Sequence, residues 1–263
     1  MKKMMTILVV AIVLTMSFGS FSSFSQTEII DTTNLSKGIV SIAYKTTDTV
    51  TYKVLISKDD KKISYPFTKD GTPNVFPLQM GNGTYKVGLL KNTTGTKYAY
   101  VSQKTVVLEL KDSNVVFLNS IQNVNWNADM EAIEFGKTLL KTSTTSNKKL
   151  QTLYGYLVKS MSYDYDKIPK LTPDYVPSVE QTYEDLKGIC YDYSALFASI
   201  QRDQGIPTKL VKGYSKFVEG YHAWNEILID GKWVIIDNTV DNTSRSGVKM
   251  IKDPKDYTKV YEY

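Results

Sequence analysis

A chain of 263 residues with one cysteine and one histidine has little from which to build a disulfide framework or a histidine-rich metal centre. One cysteine excludes an internal disulfide, so the folded state must rest on its core. One histidine beside one cysteine leaves a zinc site short of ligands, and Asp237, Asn238, Asp241 and Asn242 do not follow the spacing of a calcium loop. No metal or other cofactor is expected. Phosphate-binding glycine loops, internal repeats and low-complexity tracts are also missing. Charge is nearly balanced, with 32 basic against 27 acidic residues and no basic run, so nucleic acid is not an expected partner. Such a balance suits weak attraction to anionic cell-wall polymers without requiring it.

Long apolar runs are confined to the start. Met1-Lys2-Lys3 and then Thr6 to Phe18 have the charged and apolar regions of a secretory leader, and Ser23-Phe24-Ser25 offers cleavage positions. The run is short for a membrane span and no second one follows, so a secreted or wall-associated protein with no membrane span after leader removal is expected. The absence of a cysteine near the cleavage point argues against a lipid anchor. Loss of residues 1–25 would leave 238, enough for two domains.

Residues 37–120 read as strands, within an expected first domain over 26–120. Ile39 to Tyr44, Val50 to Ile56, Lys62 to Phe67, Thr84 to Leu90, Tyr98 to Glu109 and Val115 to Leu118 are rich in Val, Ile, Tyr and Thr. Turn-forming stretches such as Asp59-Asp60, Lys69-Asp70-Gly71 and Gly81-Asn82-Gly83 separate them. Strands so spaced predict a β-sandwich of immunoglobulin-like or fibronectin-like kind, with no residue that marks a ligand site. Residues 121–263 form the second expected domain. Asn125 to Lys141 and Asn147 to Ser160 carry helical spacing of apolar residues, and Asp164 to Ser178, with three prolines, predicts an irregular loop that either forms a lip of a cleft or merely connects.

The lone cysteine and histidine sit in patterned surroundings. Gly188-Ile189-Cys190 leads into Tyr193, Leu196, Phe197 and Ile200 at helical spacing, and Gly205 and Pro207 close the run. Cys190 is therefore expected in the first turn of a helix, where free N–H groups and the positive end of the macrodipole favour thiolate over thiol. Asp230-Gly231 marks a two-residue hairpin between Tyr221–Ile229 and Lys232–Asp237. If Ile229 opposes Lys232, Trp224 opposes Asp237 and His222 opposes Thr239, which makes His222 and Asp237 diagonal neighbours on one face. Cys190 as an inert buried thiol and His222 as a core histidine are the plain alternatives.

Four blocks in order carry a family resemblance: Gly-Ile-Cys-Tyr-Asp-Tyr-Ser-Ala-Leu-Phe (188–197), Gly-Ile-Pro-Thr-Lys-Leu-Val-Lys-Gly-Tyr (205–214), His-Ala-Trp-Asn-Glu (222–226) and Trp-Val-Ile-Ile-Asp (233–237). Over roughly residues 145–245 the chain resembles the bacterial transglutaminase-like superfamily. The resemblance implies a papain-like α+β core, hence an α+β chain with a β-sandwich ahead of a transglutaminase-like domain. It implies a triad of Cys190, His222 and Asp237, with Cys190 as nucleophile, His222 as proton carrier and Asp237 as orienting carboxylate. Met161-Ser162-Tyr163-Asp164 resembles the block that supplies a side-chain oxyanion donor in relatives, which makes Tyr163 the candidate beside the Cys190 N–H.

The implied activity is thiol-dependent acyl transfer on peptide or protein amides, by hydrolysis or crosslinking. Two other readings stand beside it. One is a non-catalytic peptide- or wall-binding protein that keeps the fold, and the other is an adhesin whose sandwich carries the function.

Overall fold

The computed structural model describes residues 28–244 and 249–263. The leader expected over residues 1–25 lies outside the described residues.

The N-terminal part is built from two antiparallel sheets. Strands β1 (Ile30–Asp31), β2 (Ile39–Ile42), β3 (Tyr52–Lys58), β4 (Lys61–Pro66), β5 (Asn74–Pro77), β6 (Gly83–Thr94) and β7 (Lys97–Leu108) pair in the orders β1-β2-β5 and β4-β3-β6-β7. Alternation decides which face is buried: Tyr52, Val54 and Ile56 point inward from β3, and Ile63 and Tyr65 from β4. Full burial of such a side chain contributes about 1.5–3 kcal/mol. One strand expectation needs correction. Val115–Leu118 lies in a 3-10 helix, Ser113–Leu118, whose start Asp112 caps by accepting the Asn114 N–H at 2.9 Å. β1 and the Pro-bounded β5 have no counterpart among the expected strands.

The rest of the chain mixes helices with a five-stranded sheet. Helices α1 (Glu131–Leu140) and α2 (Ser146–Ser160) come first, followed by β8 (Ser162–Tyr163), α3 (Val179–Asp185), β9 (Lys187–Gly188) and α4 (Cys190–Asp203). Then come β10 (Thr208–Ser215), β11 (Val218–Ile229), β12 (Lys232–Ile236), α5 (Asn238–Thr243), β13 (Ile251–Lys252) and β14 (Tyr257–Glu262). The sheet order is β13-β12-β11-β10-β14, all antiparallel. Helix α4 is buried along nearly its whole length and packs on β10 and β11. It ends at Asp203 with Gln204 as C-cap, and Gly205 follows at a φ of +73°, which suits a residue without Cβ.

A single core cluster contains side chains from both parts. Arg202 on α4 fastens them together. Its guanidinium donates to Asn119 O at 2.7 Å, Tyr263 O at 2.8 Å and Thr208 O at 2.9 Å, while its side chain is almost wholly buried. Burial lowers its pKa to about 9, which leaves it cationic at neutral pH. No helix among the described residues is long and apolar enough to cross a membrane.

Candidate active site

Cys190 is the first residue of α4, and the local sequence explains how it is held there. Asp192 turns back so that its Oδ2 accepts the Ile189 N–H at 2.8 Å, which fixes the entry into the helix. Gly188 makes room for this carboxylate, since a Cβ at 188 would lie 2.5 Å from Asp192 Cβ. Asp192 is fully buried and takes two further donors from the proline-rich loop: Lys167 Nζ at 2.8 Å and the Tyr175 hydroxyl. The segment expected as either lip or connection is thus tied to the helix that carries Cys190. Leu171, Pro173 and Tyr175 from it line a cleft of about 290 Å³ together with Cys190, His222, Lys212 and Tyr221.

His222 comes from β11. The Asp230-Gly231 turn forms as expected, with both residues at positive φ, and Ile229 pairs with Lys232. The ladder continues to Asn225 opposite Ile236 and stops there. Asp237 and Thr239 therefore do not lie on a strand opposite Trp224 and His222. Asp237 is instead the N-cap of α5, with Oδ1 accepting the Val240 N–H at 3.0 Å, and Thr239 lies within that helix. The predicted contact nonetheless forms: His222 Nε2 and Asp237 Oδ2 are 2.8 Å apart, with side chains 2% and 0% exposed. The carboxylate caps a helix with one oxygen and orients the imidazole with the other.

Because Nε2 is taken by Asp237, Nδ1 is the ring nitrogen left for Cys190. Burial disfavours a charged ring here, but the Asp237 hydrogen bond, the Cys190 sulfur and the charges of both outweigh it. They raise the His222 pKa from 6.5 to about 10. Asp237 Oδ2 also accepts from the Tyr257 hydroxyl on β14 at 2.9 Å. Burial and the neighbouring Asp237 push that phenol well above its ordinary value, so it stays protonated.

Tyr163 reaches the site through a two-residue parallel pairing in which Ser162 faces Lys187 and Tyr163 faces Gly188. Asp164 N donates to Gly188 O at 2.8 Å, which sets Tyr163 close to the start of α4. Burial and the charge of Cys190 push its phenol up to about 12, and the Cys190 backbone N–H acts on it in the opposite sense. The Tyr163 hydroxyl and the Cys190 backbone N–H thus lie side by side at the start of α4.

Several residues of the site lack a signal in sequence. Asp192 has a partial one, an acidic residue at the third helical position, where a capping carboxylate belongs. Lys167, Tyr175, Lys212 and Tyr257 have none, because their partners are distant in the chain. Among the described residues, no group of three His, Cys, Asp or Glu side chains is placed to hold a metal ion. Asp237 is occupied as above, and Asp241 is paired with Lys252 and accepts from Tyr154 at 2.8 Å.

None of the curated proteins matches this chain. Among solved structures, a candidate cysteine protease from Cytophaga hutchinsonii is 14% identical with a TM-score of 0.47, over 86% of this chain and 76% of that one. The periplasmic domain of TgpA from Pseudomonas aeruginosa, bound to ethylmercury, is 13% identical with a TM-score of 0.40, over 77% and 71% of the two chains. Red sea bream transglutaminase is 11% identical with a TM-score of 0.34, over 76% of this chain and 48% of its own. The sequence model of the transglutaminase-like superfamily matches residues 133–238, from α1 to the first residue of α5, so this segment is a transglutaminase-like superfamily domain.

Proposed function

We propose that this protein is an exported thiol-dependent acyl-transfer enzyme acting on peptide or protein amides, with Cys190, His222 and Asp237 as its triad. In this reading a β-sandwich over residues 26–120 precedes a catalytic domain over 121–263, and the enzyme works outside the cell or at its wall. The observation that carries it is the placement of His222 between Asp237 and a helix-start cysteine, in a cleft open to a substrate.

The chemistry follows from the protonation of the ring. With His222 held as imidazolium, Cys190 attacks as thiolate and a carbon–sulfur bond forms at the amide carbonyl. The Cys190 N–H and the Tyr163 hydroxyl receive the developing oxyanion, and the phenol is a suitable donor because it keeps its proton. His222 then gives its proton to the departing amine, which leaves a thioester and a neutral ring. Water or a second amine attacks that thioester and passes its proton to His222, and the thiolate is released. Both acceptors use the same groups, so hydrolysis and crosslinking share every step up to the thioester.

The test is the pH dependence of alkylation by iodoacetamide, read by intact mass. One cysteine makes the added mass report Cys190 alone. Wild type is expected to label quickly well below pH 8.5, the region where ordinary thiols ionise, and His222→Ala is expected to lose that advantage. Slow labelling, identical in both, would overturn the proposal and favour a peptide-binding role for the cleft.

A further inference from the structure

Lys212 is a charged residue of the cleft that the triad does not use. It lies on β10 opposite Ala223, the neighbour of His222, and opposite Tyr261 on β14. Its Nζ is 3.5 Å from the centroid of the Tyr191 ring and 5.6 Å from that of Tyr263. Aromatic faces attract a cation, but they do not replace a counterion. The other well-covered lysines nearby have one: Lys209 lies 3.0 Å from Glu262, and Lys252 is paired with Asp241. Among the described residues no carboxylate lies within ion-pairing distance of Lys212. Asp192, the buried carboxylate of α4, is already saturated by Lys167, Tyr175 and the Ile189 N–H.

An unpaired ammonium in a largely apolar cleft is unfavourable in the free protein. Burial lowers the Lys212 pKa to about 8, with the charge of Cys190 acting to raise it. An incoming anion would supply the missing partner. His222 already provides a cation for the sulfur, which leaves Lys212 available for charge on a ligand.

We propose that Lys212 is the anion receptor of the Cys190 cleft, and that the acyl donors taken there carry a carboxylate beside the amide to be attacked. This rests on the acyl-transfer reading and adds a substrate class to it. The carboxylate is either the C-terminus of a peptide or an acidic side chain, since the ammonium recognises the same group in both.

The experiment compares alkylation of Cys190 by iodoacetate and by iodoacetamide in wild type, Lys212→Met and Lys212→Arg. In each reaction sulfur displaces iodide at the same kind of carbon, so the rate ratio reads only the preference for a negative charge. The ratio is expected to fall about tenfold in Lys212→Met and to be retained in Lys212→Arg. An unchanged ratio in Lys212→Met overturns the proposal, including the case in which both reagents slow alike and Lys212 serves the thiolate instead. A thiol slow toward iodoacetamide in wild type overturns the acyl-transfer reading separately, and the ratio still reports on Lys212.

Protection of Cys190 from iodoacetamide by four peptides identifies the source of the charge. These are acetyl-Ala-Ala-Ala with a free or amidated C-terminus, and acetyl-Ala-Ala-Asp-amide against acetyl-Ala-Ala-Asn-amide. Stronger protection by the acidic member of one pair, lost in Lys212→Met, names that source. Equal effects within both pairs overturn the donor assignment.

Discussion

The two parts of this molecule bury different things. The sheets of residues 30–108 enclose Ile, Val, Leu, Phe and Tyr, and among the described residues of that span the one buried polar side chain outside this set is Gln79. Around α4 and its sheet, Asp192, Arg202, His222, Asn225, Asp237 and Asp241 all lie in the interior. The first part is a matter of alternation and volume, in which burial favours the native state and few groups need partners. The second carries buried charge, which is tolerated only where each group meets a donor or acceptor. A site that must hold an imidazolium away from water needs such surroundings, and the sheets beside it do not.

Arg202 offers the largest test of that contrast. Arg202→Met keeps most of the buried stem but leaves the carbonyls of Asn119, Thr208 and Tyr263 without the donor they now share. Asn119 O and Thr208 O are then orphaned while Tyr263 O keeps the Leu210 N–H at 3.0 Å, so the expected loss is about 3 kcal/mol. Urea unfolding monitored by tryptophan fluorescence measures it. A cost below about 1 kcal/mol would mean that satisfied polar groups contribute nothing special there, and the contrast would fail. On the other side, Ile56→Val removes one methylene from a fully buried position on β3 and is expected to cost about 1 kcal/mol. That cost should be the same at pH 6 and pH 9, because no ionisable group depends on Ile56.

The same contrast explains what could be read from the chain. Strands β2, β3, β4, β6 and β7 announce themselves by alternation and β-branched composition, whereas the short, Pro-bounded β5 does not. Cys190 at a helix start follows from Gly188, the apolar spacing after it and the stop at Gly205. The hairpin follows from Asp230-Gly231. The contact between His222 and Asp237 was also legible, though the strand ends one residue before Asp237 and the carboxylate works from a helix cap. Lys167, Tyr175 and Tyr257 were not legible, because Asp192 and Asp237 gather them from positions 17 to 25 residues away. Val115–Leu118 shows the limit of composition: four residues suited to a strand form a 3-10 helix because Asp112 caps them. Local pattern reports what the backbone prefers, whereas a polar network depends on which distant donors arrive.

Tyr257 gives the smallest and sharpest comparison, because it touches the site through one hydrogen bond. Its hydroxyl donates to Asp237 Oδ2, the oxygen that also holds His222 Nε2. Removing that donor in Tyr257→Phe returns negative charge to the bond with the ring. The pKa of His222, about 10 in the intact site, should therefore rise by a few tenths rather than fall. One histidine gives one imidazole resonance, so the shift can be followed directly by NMR titration. The ring's folded-state value lies above its ordinary 6.5, so the stability it adds is complete below 6.5 and is lost as pH climbs to about 10. The difference in urea midpoint between wild type and His222→Gln should shrink across that window, and in the Tyr257→Phe background the window should extend upward. A downward shift on losing the phenol would mean that Tyr257 supports the charged ring directly, and Asp237 would then not be the group that holds the proton on His222.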